Sequence, residues 1–316
     1  MEETYQNKVY QNINSNHMKT TLSIFILVLL TTFFSCGQPT EKKNVTVDTT
    51  DKLQTKSDKE ENERLEKRKK IEEQEKADSI RLDNILQNAL KIANQNFDKN
   101  RFSDKYEVST DYIPVNVEIN LDYYFTKARP HLIIRRDDIE GAIGITYIDI
   151  YSKGDNNFEK VVSHKQWYME YRNDTIRDIN GDGLNDFVVN GYGVNGCCLK
   201  AFSIVYLLRQ DKKSFSKNYD FINPTFSPKE KIIRGLCYGY PGETTMYKYK
   251  WNGEKVDTLE YISYEKNEKG VKTGKVIIST DEPYGDNYKI LKIVNSVPTE
   301  YRKIEDYDWF TGDGYE

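Results

Sequence analysis

Catalytic side chains in recognisable spacing are what this 316-residue chain has least of. It holds three histidines, and past the amino-terminal segment only His131 and His164. Each lies in a strand-like stretch with no cysteine or aspartate that the sequence assigns to it, so a histidine satisfied within its strand is expected. No Gly-x-Ser-x-Gly elbow, Walker loop, His-Glu-x-x-His or dinucleotide fingerprint occurs, and an enzyme is not expected. Positive charge is not in excess: 46 Lys+Arg stand against 50 Asp+Glu, interleaved, for a net charge of −4. That balance argues against nucleic acid as a partner. Cysteine is also scarce. Beyond Cys36 there remain Cys197, Cys198 and Cys237, without usable zinc spacing or a neighbouring histidine.

Long apolar runs are missing too. The longest, Leu22 to Phe34, is broken by Ser23, Thr31 and Thr32. As a helix it spans about 20 Å, short of the roughly 30 Å hydrocarbon core. A signal peptide over residues 1–35 is therefore expected in place of a membrane span. Lys19 supplies its positive flank, and the polar residues before it place the true start at Met18. The run ends in Phe33-Phe34-Ser35-Cys36-Gly37, which resembles a bacterial lipobox with a small residue before the cysteine. The resemblance implies diacylglycerol and palmitate on Cys36, a membrane partner through this lipid anchor, and an outer-membrane address because Gly37 is not aspartate.

Composition divides the mature chain. Residues 36–56 are Thr/Lys/Asp-rich and aperiodic, and read as a disordered tether. Residues 57–100 read as a charged helical stalk. Glu60–Arg64, Glu63–Lys67, Glu66–Lys70 and Glu72–Lys76 sit at i,i+4 with the acid first. Such pairs add only about 0.2–0.5 kcal/mol each, so the stalk should be solvent-laced. From residue 82 onward Leu82, Ile85, Leu86, Ala89, Ala93 and Phe97 form one apolar stripe at helical spacing, a face made to dock.

Over residues 101–316 the period becomes two. Ile113, Val115, Val117, Ile119, Leu121 and Tyr123 alternate with polar residues and Pro114. Further strands are expected at 131–134, 143–151, 165–171, 187–189, 202–208, 244–251, 256–264, 276–278 and 289–294. Asn252-Gly253 predicts a type I′ hairpin. Many short strands with turn signals define a mainly β domain: a small β-propeller, or alternatively a β-sandwich.

One segment carries metal chemistry. Asp178-Ile-Asn-Gly-Asp-Gly-Leu-Asn-Asp186 places oxygens at alternate positions around a glycine. Calcium takes six to eight oxygens, and an EF-hand-type loop supplies them from positions 1, 3, 5, 7 and 9. Those positions are Asp178, Asn180, Asp182, Leu184 through its carbonyl, and Asp186, with Gly183 at the turn. Val189 stands where an EF-hand has its closing glutamate, so Asp186 or water must complete the shell. Holding two carboxylates about 5 Å apart costs about 3 kcal/mol at an effective dielectric near 20, so the loop should be loose without a cation. The plainer reading is an Asn/Asp/Gly turn with no metal. The strand expected at Phe187-Val188-Val189, directly after the loop, favours a structural ion over a catalytic one.

The loop, the strand Phe202-Ser-Ile-Val-Tyr-Leu-Leu208, Ser214-Phe215, Asn223-Pro224 and Tyr247-Lys-Tyr-Lys-Trp251 together resemble a bacterial lipoprotein group. Its members carry one calcium loop related to FG-GAP or VCBS repeats and are similar to propeller-like lysozyme inhibitors. The match spans roughly residues 174–264. It implies a small propeller with the metal staking one blade and, as a possibility, inhibition of a peptidoglycan hydrolase. A multi-blade relative would repeat the loop; here there is one good copy and a poor echo at Asp306–Asp313.

Three cysteines in an oxidising compartment leave one over. Adjacent residues on a strand face opposite ways, so either Cys197 or Cys198 meets Cys237, with Cys198–Cys237 slightly preferred. Closing that loop would contribute roughly 3–4 kcal/mol. Tyrosine is abundant at 24 and clusters at Tyr123-Tyr124, Trp167–Tyr171, Tyr238-Gly-Tyr240 and Tyr247–Trp251. Tyrosine suits a pleated, half-buried surface; it also builds rigid contact surfaces. Tyr238 and Tyr240, in Cys237-Tyr-Gly-Tyr-Pro-Gly-Glu243, form the best candidate patch. The function expected is a non-catalytic module for a protein partner, or alternatively for cell-wall glycan.

Overall fold

The computed structural model describes residues 50–109, 114–139, 144–194, 196 and 198–315. The expected signal peptide with Met18, the lipidation residue Cys36, most of the tether, and Ile113, Ile143 and Cys197 lie outside the described residues. The chain divides into two compact units, Met1–Glu72 and Glu73–Glu316.

A single long helix, α1 (Thr50–Gln95), runs through the boundary. It starts earlier than composition suggests, taking in residues 50–56 of the expected tether. Once nucleated, a helix extends residue by residue even through weak formers. Residues 61–72 are exposed throughout, as a face of i,i+4 ion pairs requires.

In the second unit the helix turns amphipathic. Leu82, Ile85, Leu86, Ala89 and Ala93 are buried against Val115, Val117, Ile119, Leu121, Leu132 and Ile134. Each buried Leu or Ile contributes about 1.5–3 kcal/mol, and the two alanines let the helix lie close to the sheet. A buried ion pair locks the contact: Arg136 meets Asp149 at 2.7 Å and also donates to the Leu82 carbonyl at 2.9 Å.

The described residues form fifteen strands in three antiparallel sheets. The first runs β1 (Phe102–Val108), β2 (Val115–Asp122), β3 (His131–Asp138), β4 (Ile145–Lys153), β5 (Phe158–Trp167). The second runs β6 (Tyr171–Arg177), β7 (Asp186–Tyr192), β8 (Ala201–Tyr206), β9 (Tyr219–Ile222). The third runs β10 (Pro224–Ser227), β11 (Ile232–Leu236), β12 (Met246–Asn252), β13 (Lys255–Lys266), β14 (Lys272–Ser279), β15 (Ile290–Val294). Within each sheet every strand pairs with its neighbour in sequence, so each sheet is a plain meander.

The sheets stack through their side chains. Ile148, Ile150 and Val162 of the first sheet meet Phe187 and Val189 of the second. On the opposite face of β7, Val188 joins Val205 against Ile233, Tyr247, Trp251 and Tyr261 of the third sheet. Strand β7 is thus buried on both sides, which explains its unbroken Phe-Val-Val run. The outer face of the third sheet is covered by Val297, Tyr301, Ile304 and Phe310. Phe310 belongs to a short helix, α2 (Tyr307–Thr311).

Three expectations are corrected. Neither a closed barrel nor a propeller ring forms among the described residues, because α1 covers the outer face of the first sheet and the C-terminal segment covers that of the third. A ring would need those two faces to meet. The strand expected over residues 165–171 is instead the end of β5, a turn at Tyr168–Glu170 and the start of β6. Aromatic residues there suit a strand but stand in solvent. The hairpin after β12 exists, with a shifted turn. Asn252 pairs with Lys255, so Gly253-Glu254 is the loop; only Gly253 has positive φ, +61°. That is type II′, with glycine at the first central position.

Candidate functional site

The acidic loop lies between β6 and β7 and carries all five expected residues. Asp178 accepts from the amides of Gly181 at 2.7 Å and Gly183 at 3.0 Å. Asn180 accepts from Asp182 N–H at 3.0 Å, and Asp182 from Leu184 N–H at 2.9 Å. These are the short-range turns expected of Asx residues. Gly181 is the tightest point: its φ is +74°, and a Cβ there would stand 2.1 Å from the Pro228 carbonyl oxygen.

Asp186 has a role that spacing does not announce. It is fully buried. One carboxylate oxygen accepts Ile179 N–H at 2.9 Å and the other accepts Leu208 N–H, also at 2.9 Å. The side chain staples the loop's start to the end of the neighbouring strand. Burial pushes its carboxyl up to about 7; the two amides oppose this, while Asp182 and Asp178 add to it. Three carboxylates, a carboxamide and a backbone carbonyl are a hard-oxygen set suited to calcium. As placed, the side-chain oxygens of Asp178 and Asn180 face the loop's own amides, Asp182 also accepts from the Gln210 carboxamide at 3.3 Å, and no three His, Cys, Asp or Glu side chains among the described residues converge as a metal site.

A cleft of about 600 Å³ has the size of a ligand site. Its walls come from the segment after β11 and from the β14–β15 connection. The first wall is Cys237–Thr245, which contains Tyr238; the second contributes Glu282, Tyr284 and Tyr288. Tyr264 on β13 lines it as well. Tyr240, more exposed at 59 %, does not line it, so the expected pair is split.

The first wall is braced from three sides. Cys237 N–H donates to the Thr245 carbonyl at 2.7 Å, and Gly242 N–H to the Trp309 carbonyl at 2.8 Å. The Trp309 indole N–H donates to the Gly239 carbonyl at 2.9 Å. Thr244 Oγ1 donates to the Cys237 carbonyl at 2.7 Å. Glu243 is paired with Lys266 across the cleft wall.

Cys237 is a free thiol in that wall, and Cys198 is buried. No disulfide joins the two here. Burial, and then the Glu282 carboxylate, push the Cys237 thiol well above its ordinary range, so it stays protonated and unreactive.

The histidines lie away from this cleft. His131 is buried with both ring nitrogens unpartnered, edge-on to Phe125 and Phe215. Burial lowers it to about 4. His164 is held by Gln166 Oε1 at 3.1 Å and Tyr206 OH at 3.0 Å. The carboxamide oxygen only accepts, so Nε2 donates to it and the phenol donates to Nδ1.

Sequence reasoning missed Tyr284, Tyr288 and Glu282, although Glu282-Pro-Tyr-Gly285 is a turn signature that could have marked them. Comparison of the chain with family models, curated proteins and solved structures returns no match.

Proposed function

We propose that this protein is a non-catalytic binding module of the bacterial cell envelope, anchored by lipid on Cys36 at the outer membrane. The 237–245/280–288 cleft is its recognition surface. The observation that carries this is the convergence of Tyr238, Tyr264, Tyr284 and Tyr288 on one braced concavity. A concave site with aromatic walls and a few polar groups is the usual form of a ligand pocket. Binding in place of turnover is supported by the site's chemistry: the thiol is held protonated, one carboxylate is tied to a lysine, and both described histidines are buried elsewhere.

In this reading calcium is a structural cofactor held by Asp178, Asn180, Asp182, Asp186 and the Leu184 carbonyl. Support comes from the spacing and from the buried Asp186, whose charge a cation would offset. The three meanders then act as blade-like layers of an open, propeller-like stack; face-to-face packing of neighbouring sheets also fits the sandwich alternative.

A concave site favours cell-wall glycan as the ligand. The test is co-sedimentation of the full chain with purified cell wall. Retention reduced by Tyr238→Ala and unaffected by Tyr240→Ala supports the reading; retention indifferent to both overturns it. A protein partner, including a peptidoglycan hydrolase that the chain inhibits, is the second reading. The exposed turn Trp167-Tyr168-Met169, 43–57 % exposed, favours it, since such residues anchor protein interfaces. Pull-down with lysozyme-type enzymes, lost in Trp167→Ala, would support that version.

A further inference from the structure

The turn that displays Tyr284 breaks the rule for its own type. Gly285 N–H donates to the Glu282 carbonyl at 2.9 Å, Pro283 is the second residue, and Tyr284, the third, has a φ of +72°. This is the signature of a type II turn, whose third position favours glycine or asparagine. An L side chain there crowds its own backbone. The chain places a tyrosine at that position and leaves its ring fully in solvent. The exposed ring gains no burial that would offset the strain. Strain kept without structural return marks positions that meet a ligand.

The turn is otherwise firmly built. Thr280 N–H donates to the Lys289 carbonyl at 3.0 Å, and Tyr288 N–H to the Gly285 carbonyl at 3.1 Å. Thr280 Oγ1 donates to the Asn287 carbonyl at 2.6 Å. The backbone that carries Tyr284 at the mouth of the cleft is therefore pinned, while its ring stands in solvent.

Charge selects the ligand's class. Lys200 and Lys272 already lie over the rings of Tyr238 and Tyr264, at 5.3 and 4.3 Å from their centroids. A cationic ligand would meet ammonium groups on the ring faces it needs. An anion would meet the Glu282 carboxylate, Glu243 being already paired with Lys266. A neutral polyhydroxylated ring meets neither obstacle: its C–H face lies on a phenol, its hydroxyls donate to carboxylate and accept from ammonium.

We propose that the cleft binds a neutral saccharide, with one pyranose ring stacked on Tyr284 and its hydroxyls donating to the Glu282 carboxylate. This rests on the cleft being the recognition surface argued above. The experiment is calorimetric titration of the full chain with two neutral tetrasaccharides, a β-1,4-glucan and an N-acetylglucosamine oligomer. Tetramethylammonium and a sulfated oligosaccharide serve as charged probes. Tyr284→Gly relieves the turn, so its melting temperature should equal or exceed the parent's. Saturable binding of a neutral oligosaccharide, weakened at least tenfold by Tyr284→Gly and by Glu282→Gln, is the expected result. Failure of both neutral oligosaccharides to bind overturns the proposal, as does undiminished binding by Tyr284→Gly or preference for either charged probe. If wall retention depends on Tyr238 while no oligosaccharide binds, the saccharide assignment falls and the cleft reading stands. If retention ignores every cleft variant, both fall.

Discussion

His131 sets a pH limit on this fold. Its ring sits edge-on to Phe125 and Phe215 with no hydrogen-bond partner, so it folds neutral. Burial lowers it from 6.5 to about 4. Between those values the unfolded chain binds the extra proton, so stability is complete above pH 6.5 and is lost as pH falls toward 4. At about 1.4 kcal/mol per unit the loss is on the order of 3 kcal/mol. Asp186, raised to about 7, works the opposite way over this window, so urea unfolding at pH 7 and pH 4.5 should show the drop as a difference between the parent and His131→Phe. His131→Phe should flatten part of it, and His164, also lowered by burial, should keep the remainder. A slope unchanged in His131→Phe would place the proton uptake elsewhere.

At the scale of elements, the helix is two things in one rod. Leu86 is 6 % exposed against the first sheet, whereas Leu65 is 51 % exposed. Leu86→Ala should destabilise by about 2–4 kcal/mol, and Leu65→Ala by less than about 0.5 kcal/mol. Equal effects in thermal melts would contradict the docking of the 82–93 stripe. The acidic loop separates similarly. Asp186→Asn leaves either Ile179 or Leu208 N–H without an acceptor, so it should cost about 1–3 kcal/mol without calcium, and more with calcium, for which Asp186 is also a proposed ligand. Asp182 is exposed; Asp182→Ala should lower the melting temperature only when millimolar calcium is present. If calcium leaves the parent's melting temperature unmoved, the loop is an Asx turn stapled by Asp186.

Legibility followed burial. The 115–121 alternation and the 82–93 stripe were readable because one face of each is covered and the other is not. Strand β7 was readable only as an apolar run, since both its faces are buried. Strands β1, β9 and β10 escaped notice as short or edge elements without a period, and β11 because its five buried residues, broken by Arg234 and Gly235, are too few to show one. The acidic loop was visible by spacing, but the pairing of Asp186 with Leu208 N–H depends on a strand that arrives from elsewhere in the chain. Half the cleft was visible, through Tyr238. The other half required the β14–β15 connection to fold back beside it, and the brace from Trp309 is equally non-local.

On the scale of the whole second unit, three sequential meanders are stacked, and helix α1 and the C-terminal segment cover the two outer faces. Covering both faces stops the stack from closing on itself. The C-terminal segment has a second effect: Trp309 braces the 237–245 wall through the Gly239 carbonyl and the Gly242 amide. Bracing of this kind lowers the entropic cost of binding. The measurement that tests the account most directly is hydrogen exchange of the full chain with and without isolated cell-envelope material. New protection confined to residues 237–245 and 280–288 is the predicted result. Protection at the Tyr168–Glu170 turn, with those two segments unchanged, would contradict it.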